Sequence, residues 1–469
     1  MNDCDVAWLS ATELRARYAA RELSPVEVTE ALLTRIERIN PSLNAIVTVT
    51  PDLALKQARA AERAYRDGEA GLLAGVPITI KDLTPTRGIR TSMGSLLDPD
   101  WIPDEDAPFV EDVYAAGAVL LGKTNTPELG WKGDSGNRVF GPTHNPWRHG
   151  KTAGGSSGGA GAAVAAGLGP LSQGSDGAGS IRIPAGFCGI FGIKPSYGLV
   201  PQYPASAVWD LSHMGPMTRT VADSALLLNV VARADARDRL SWSSGVDYLA
   251  ACGGDIRGLR VAWMPGLEGA TVAPGVMAPI ERAARRFEEL GCTVEDVNPD
   301  LPAAWPMLGA MWTAAMAGYF RGREAAVRDV LDPGLFAVVE RGARIDGAEL
   351  AEALNRRNDY YEAMRRFMEP YDLILTPTLP ITAFDAGQDE PPRQNADDET
   401  PLDWTPYTYP FNLTGQPAAT VPCGFADDGL PVGLQIVGRW HDDATVLRAA
   451  ASFERAAPWA DHRPPLERV

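Results

Sequence analysis

The sequence predicts an α/β fold, and three observations carry that expectation. Short apolar runs of strand length recur along the chain, amphipathic stretches of helix length stand between them, and no internal repeat replaces the alternation. The chain opens on amphipathic helices near 11–22 and 24–39. The second begins with the capping box Ser24-Pro25-Val26-Glu27, in which serine and glutamate side chains satisfy each other's exposed N–H groups. A further helix is expected near 51–67, strands near 76–81 and 118–122, and a helix near 158–167, where Ala162-Ala163-Val164-Ala165-Ala166 favours one. Strands follow near 258–263, 292–297, 371–376, 418–425 and 431–437, with helices near 273–290 and 443–456. Region 301–367 reads as helical, with Leu308, Trp312, Met316 and Phe320 spaced by four along one face, a stripe that usually belongs to a core. Segment 385–408, acidic and proline-rich at Asp389-Glu390-Pro391-Pro392 and Asp397-Asp398-Glu399, reads as a long surface loop whose length permits a rim or lid.

The 469 residues are read as one large domain, 1–469, with a helical part at about 1–70, a motif-bearing core at about 75–225 and a variable helical region at about 301–367. With 45% hydrophobic residues the chain can bury a substantial core. A net charge of −17 opposes binding to a phosphate backbone, so no nucleic-acid partner is expected. There is no 18-residue apolar run, and Met1-Asn2-Asp3-Cys4-Asp5 is acidic rather than basic; neither a membrane span nor a signal peptide is indicated, and a cytoplasmic protein is expected. Cys4, Cys188, Cys252, Cys292 and Cys423 are scattered without CxxC spacing, which favours reduced thiols, with Cys188 packed behind the motif-bearing loops. His144, His149, His213, His441 and His462 form no metal-ligand pattern, so no metal and no organic cofactor is expected.

Chemistry concentrates between Lys151 and Tyr197. Two serine sites there are set among glycines, in Gly154-Gly155-Ser156-Ser157-Gly158-Gly159 and in Asp176-Gly177-Ala178-Gly179-Ser180. Glycine allows close backbone approaches that a side chain forbids, so such loops suit a site where N–H groups surround an attacking hydroxyl. A flexible linker would not need the alanine-rich helix between them, and neither a phosphate-binding loop nor a dinucleotide fingerprint occurs in the stretch. Gly155-Ser156-Ser157-Gly158-Gly159 also fits the G-x-S-x-G elbow, which would make Ser157 the nucleophile of an α/β-hydrolase-type esterase. An elbow follows a hydrophobic strand, and Trp147 to Ala153 do not read as one; His213, His441 and His462 stand in no evident catalytic setting. Upstream, the β-rich run Gly75-Val76-Pro77-Ile78-Thr79-Ile80 ends in Lys81-Asp82. Lysine acts as a base only when neutral, a state that burial favours, and only six lysines occur in the chain. Lys123 and Lys194 sit in turn-like settings and are set aside as bases.

These three elements together resemble the amidase signature family. The resemblance implies a large, twisted, mixed β-sheet covered by helices on both faces, with Ser180 as nucleophile, Ser156 as a proton-relaying serine on a cis peptide bond and Lys81 as the ultimate base. It further implies an oxyanion hole from the N–H groups of Gly177, Ala178, Gly179 and Ser180, and an Asp176–Arg182 pair that holds the loop, with Ser157 in support. Many relatives carry a larger residue where this chain has Gly177 and a glycine where it has Ala178, which bears on loop rigidity and acyl fit. Trp131 is placed near the nucleophile, and Trp312 and Met316 are further candidates for the substrate pocket. The blocks Gly117 to Asn125, Gly215 to Thr220, Asn412 to Ala418 and Gly433 to Gly438 match as structural segments. The activity implied is hydrolysis of a small-molecule amide, linear or cyclic. The alternative is the catalytic subunit of a glutamine-dependent amidotransferase, which supplies ammonia to a partner that binds transfer RNA. A noncatalytic protein on this scaffold would be expected to lack Lys81, Ser156 or Ser180, and all three are present. Homo-oligomer formation is left open.

Overall fold

The computed structural model describes residues 6–392 and 404–466. Cys4 and the acidic group Asp397-Asp398-Glu399 therefore lie outside the described residues. The first helix is Ala11–Ala19, shorter than the 11–22 expected: Ser10 caps it, accepting from the Glu13 N–H at 3.1 Å while the Glu13 carboxylate accepts from the Ser10 N–H at 2.8 Å. The box at Ser24 likewise starts helix Pro25–Leu43, which runs past 39 until Asn44 turns left-handed at φ 52°. Helix Pro51–Asp67 follows as expected.

One sheet of 11 strands organises the molecule. In spatial order its strands are Ile46–Val49, Val119–Thr124, Pro77–Lys81, Leu171–Asp176, His213–Thr218, Phe191–Lys194, Ala418–Phe425, Pro431–Gly438, Leu373–Pro377, Arg260–Trp263 and Thr293–Asp296. Pro77–Lys81 pairs parallel with both neighbours and is buried throughout. Both of its faces are therefore covered, Thr79 and Lys81 as fully as Ile78 and Ile80. The central pairs are antiparallel and the far edge is parallel again, giving a mixed sheet.

The paired strands Ala418–Phe425 and Pro431–Gly438 illustrate how both faces are covered. Ala419, Val421, Leu434 and Ile436 pack with Ile280, Ala284, Val446 and Leu447 of helices Pro274–Glu289 and Asp443–Ala456. Thr420, Gly433 and Gln435, on alternate positions, meet helix Arg182–Cys188 instead. The region 301–367 is helical as expected, with Trp305–Tyr319, Glu324–Val327, Pro333–Gly342 and Gly347–Met368. Leu308, Trp312, Met316 and Phe320 all join one apolar cluster, as their spacing required.

Three expectations need correction. The segment 385–408 is not wholly a surface loop: Ala386 donates to the Gly150 carbonyl at 2.9 Å, Lys151 pairs with Asp385 at 2.8 Å, and Trp404 to Thr408 are buried. Trp404 stacks on Phe187 and meets Phe384 edge-on, so aromatic packing draws this stretch inside. Lys123 and Lys194 are not in turns; both lie on strands and are fully buried. Lys123 donates to the Thr84 carbonyl and the Thr91 hydroxyl beside Asp82, and Lys194 donates to the carbonyls of Pro195 and Gln416. Finally, Arg148–Thr152 does form a strand before the first serine motif, although a polar one in a separate two-stranded ribbon with His144–Asn145. Cys188, Cys252, Cys292 and Cys423 are free thiols. Among the described residues no helix is long and apolar enough to cross a membrane.

Candidate active site

Two adjacent sheet strands deliver the site. Pro77–Lys81 ends with Lys81, and its parallel neighbour Leu171–Asp176 ends at the loop that carries Ser180. The Lys81 backbone N–H is fastened to the Gln173 side-chain oxygen at 3.0 Å, which fixes where the lysine leaves the sheet. Between them enters the first serine motif, with a cis Gly155–Ser156 peptide. A side chain at Gly155 would collide with the backbone of Gly133 and Asp134, so only glycine fits this crossing. The two serine loops are tied together directly, since the Ser157 N–H donates to the Ser180 carbonyl at 3.2 Å.

Lys81 is 0% exposed. Its Nζ lies 2.7 Å from Ser156 Oγ, 2.9 Å from Ser157 Oγ and 3.0 Å from Ser175 Oγ. Burial pulls the lysine from its ordinary 10.5 down to about 7, against an opposing pull from the Asp176 carboxylate. Ser157 is fully buried, and its hydroxyl donates to the Ser175 carbonyl at 3.1 Å, so its proton is already committed. Ser156 and Ser180 instead line a common cavity of about 250 Å³. The elbow arrangement is absent in consequence: Ser157 does not line this cavity, and His213 meets the carbonyls of Leu211 and Asp176.

The loop Asp176 to Ser180 is held from behind. Asp176 and Arg182, both fully buried, form a two-pronged pair at 2.9 Å on each prong. Burial would raise the Asp176 carboxyl, but the charge and hydrogen bonds of Arg182 prevail and keep it well below the usual carboxylate range. The same carboxylate accepts from the N–H groups of Gly179 at 2.7 Å and Ile181 at 3.2 Å. This corrects the four-donor expectation: the Gly179 N–H is turned to Asp176. The N–H groups of Gly177, Ala178 and Ser180 donate to no partner among the described residues.

Several contributors escaped the sequence reading. Asn412 donates to Asp176 and accepts from Arg182, Gln435 accepts from Arg182, and the Thr408 hydroxyl donates to the Ala178 carbonyl at 2.7 Å. Asn412 and Gln435 sit in blocks read as merely structural; a polar side chain in a segment otherwise destined for the core was the available signal. Ser175, the third hydroxyl on Lys81, stands one residue before Asp176 and carried no distinguishing signal.

The cavity wall combines Leu83, Met93, Leu129, Trp312, Met316 and others with the segment 202–208. Trp312 and Met316 thus line the cavity that Ser156 and Ser180 share. Trp131 does not: it lines no part of the cavity and instead packs against Gly334 at the start of helix Pro333–Gly342, while its neighbours Leu129 and Gly130 form the wall. Among the described residues no His, Cys, Asp and Glu side chains converge in a group of three or more able to hold a metal ion.

The Amidase family model matches residues 27–447. An acylamidase of Rhodococcus erythropolis is 43% identical, over 99% of this chain and 98% of its own. A glutamyl-tRNA(Gln) amidotransferase subunit of Methylococcus capsulatus is 37% identical, over 96% of this chain and 98% of its own. Among solved structures, a bacterial aryl acylamidase of the amidase signature enzymes superposes with a TM-score of 0.88 at 33% identity, covering 97% of each chain.

Proposed function

This chain belongs to the amidase signature family, and we propose that it hydrolyses neutral acyl amides through an acyl-enzyme on Ser180. The observation that carries the reading is Lys81, fully buried, 2.7 Å from a serine hydroxyl that opens on the same cavity as Ser180. A neutral amine has two N–H bonds and one lone pair. Ser157, its own proton committed to Ser175, takes one N–H, and Ser175 takes the other. The lone pair then faces Ser156, which makes Ser156 the hydroxyl that Lys81 can deprotonate.

In the forward step Ser180 Oγ bonds the carbonyl carbon and passes its proton to Ser156, whose own proton moves to Lys81. The carbonyl oxygen, now negative, is met by the N–H groups of Gly177, Ala178 and Ser180, where a single donor is worth roughly 3 kcal/mol. Collapse breaks the carbon–nitrogen bond, and the proton returns along the same path to the leaving amine. Water then repeats the cycle on the ester, releasing the acid.

The resemblance to amidotransferase subunits favours a second reading, release of ammonia from glutamine for a partner protein. Glutamine carries an α-ammonium and an α-carboxylate, and none of the described residues lining the cavity bears an ionised side chain to meet either. This supports the first reading. The test is the purified chain, unaided, on neutral aliphatic amides, anilides and glutamine, with mass detection of the acyl adduct. Turnover of the neutral amides with an adduct on Ser180 is expected, lost in Ser180→Ala and, in Ser157→Ala, lowered with the adduct still on Ser180. Ser156→Ala should lose about 10²- to 10⁴-fold, as for a positioned proton-transfer group. An adduct on Ser157, or glutamine as the sole substrate, overturns the reading.

A further inference from the structure

Helix Trp305–Tyr319 turns one face to the cavity, placing Trp312, Met316 and Tyr319 along it. Trp312 reaches the nucleophile loop. A Cβ at Gly177 would stand 3.1 Å from Trp312 Cζ3, 3.5 Å from its Cη2 and 3.3 Å from Val208 Cγ2. The backbone at Gly177 lies outside the left-handed region, so its conformation does not demand glycine. What crowds a side chain there is the indole, together with Val208. Trp312 is only 8% exposed and belongs to the same buried apolar cluster as Leu308, Met311 and Ala315. Bulk at position 177 and bulk at position 312 therefore occupy one space, and this chain assigns that space to the tryptophan.

Resting on the reading of Ser180 as nucleophile, we propose that Trp312 and Gly177 form a steric pair that closes the acyl end of the cavity, so that Trp312 sets the length of acyl group the enzyme accepts. Gly177 is three residues before Ser180 and donates toward the substrate oxygen, which puts its neighbour within reach of the acyl carbons. The leaving nitrogen must stand beside Ser156, which adjoins Gly130. The pair thus acts on the acid half of the substrate and not on the amine half.

The experiment uses the full chain with Trp312→Ala, Trp312→Leu, Gly177→Val and the Gly177→Val/Trp312→Ala double variant. Substrates are the 4-nitroanilides of acetic, butyric and hexanoic acids and, for the amine half, acetamide, acetanilide and N-acetyl-naphthylamine. Both Trp312 variants are expected to raise the hexanoyl-to-acetyl ratio of kcat/KM by about tenfold or more, the scale that a few methylenes command in a shaped pocket, while leaving the amine series in its wild-type order. Gly177→Val should depress every substrate, and Trp312→Ala should recover most of that loss in the double variant. Trp312→Leu preserves the apolar packing and carries the test if the alanine variant does not fold. Fluorophosphonate labelling at Ser180 in each protein separates the two claims. Failure to label Ser180 in the wild type defeats the catalytic reading, whereas labelling with an unchanged acyl ratio, a reordered amine series, or no recovery in the double variant overturns the steric pair.

Discussion

A lysine is a base only while uncharged, and the chemistry assigned to Lys81 therefore has a pH signature. With Lys81 pulled down to about 7, kcat/KM for an amide should rise with pH through an apparent pKa near 7 and level off above it, and Lys81→Met should abolish that rise and nearly all amide turnover. A wild-type profile in the variant would place the base elsewhere. The same shift predicts a stability effect. In the unfolded chain this lysine titrates near 10.5, in the fold near 7, so between those values the unfolded state holds the extra proton and folding stability rises with pH. The cost of burying the ammonium is complete below about pH 7 and fades as pH approaches 10.5. Methionine bears no such cost. The Tm of Lys81→Met minus that of wild type should therefore grow more positive as pH falls from 10 to 7 and then stay level; a difference that shrinks across that window would contradict the buried-lysine account. Position 81 was legible because an apolar strand ended in a rare lysine. Its three hydroxyl partners were not equally legible, since nothing local distinguishes Ser175 from any serine near a strand end.

At the scale of elements, the nucleophile loop works because other segments hold it. Thr408 donates to the Ala178 carbonyl, its own carbonyl accepts from Arg182 at 2.7 Å, and its side chain stands where a Cβ on Gly179 would be, with Gly179 at φ 131°. Thr408→Val keeps the shape and removes the hydroxyl. It should lower kcat by about tenfold, less than loss of an oxyanion donor itself, with KM unchanged, and Thr408→Ser should restore it. Equal loss in the serine variant would reduce Thr408 to a packing role. Arg182→Met should act on stability, because it leaves Asp176 buried with no counter-charge. A loss of roughly 3–5 kcal/mol in urea unfolding is expected, and a loss under about 1 kcal/mol would mean that the Asn412 and backbone donors suffice. These buttresses come from 226 or more positions away in the chain, which is why sequence spacing could not reveal them. The strands show the same limit. Pro77–Lys81 and Ala418–Phe425 were legible from apolar runs, whereas Leu171–Asp176, sequence Leu-Ser-Gln-Gly-Ser-Asp, has little β preference. Its place between two paired strands decides its conformation, and its polar side chains are spent on Thr79, Lys81 and Thr84.

At the scale of the whole molecule, two charge distributions differ sharply. The chain as a whole carries −17, while the described residues of the cavity wall include no ionised side chain. The composition disclosed the first, but the second depends on which few residues of 469 the fold brings around Ser180, and no count along the sequence contains it. The contrast leads to a prediction about salt. A net negative surface attracts cations and repels anions over a Debye length of about 10 Å at 0.1 M ionic strength, and added salt removes either effect. For a neutral amide neither operates, and no ion pair awaits it in the cavity. Between about 0.02 and 0.5 M sodium chloride, kcat/KM for a neutral anilide should stay within roughly twofold. For a matched amide bearing a quaternary ammonium on its acyl chain, kcat/KM should fall as salt is added, since the attraction is lost. For the sulfonate counterpart it should rise, since the repulsion is lost, with both charged substrates remaining poorer than the neutral one at high salt because the cavity must strip their water without supplying a counter-charge. Stopped-flow or steady-state rates on the three substrates decide the matter. A steep salt dependence for the neutral amide, or a charged substrate that overtakes it at high salt, would mean that an ionised group reaches the reacting acyl group and that the neutral-cavity account of specificity is wrong.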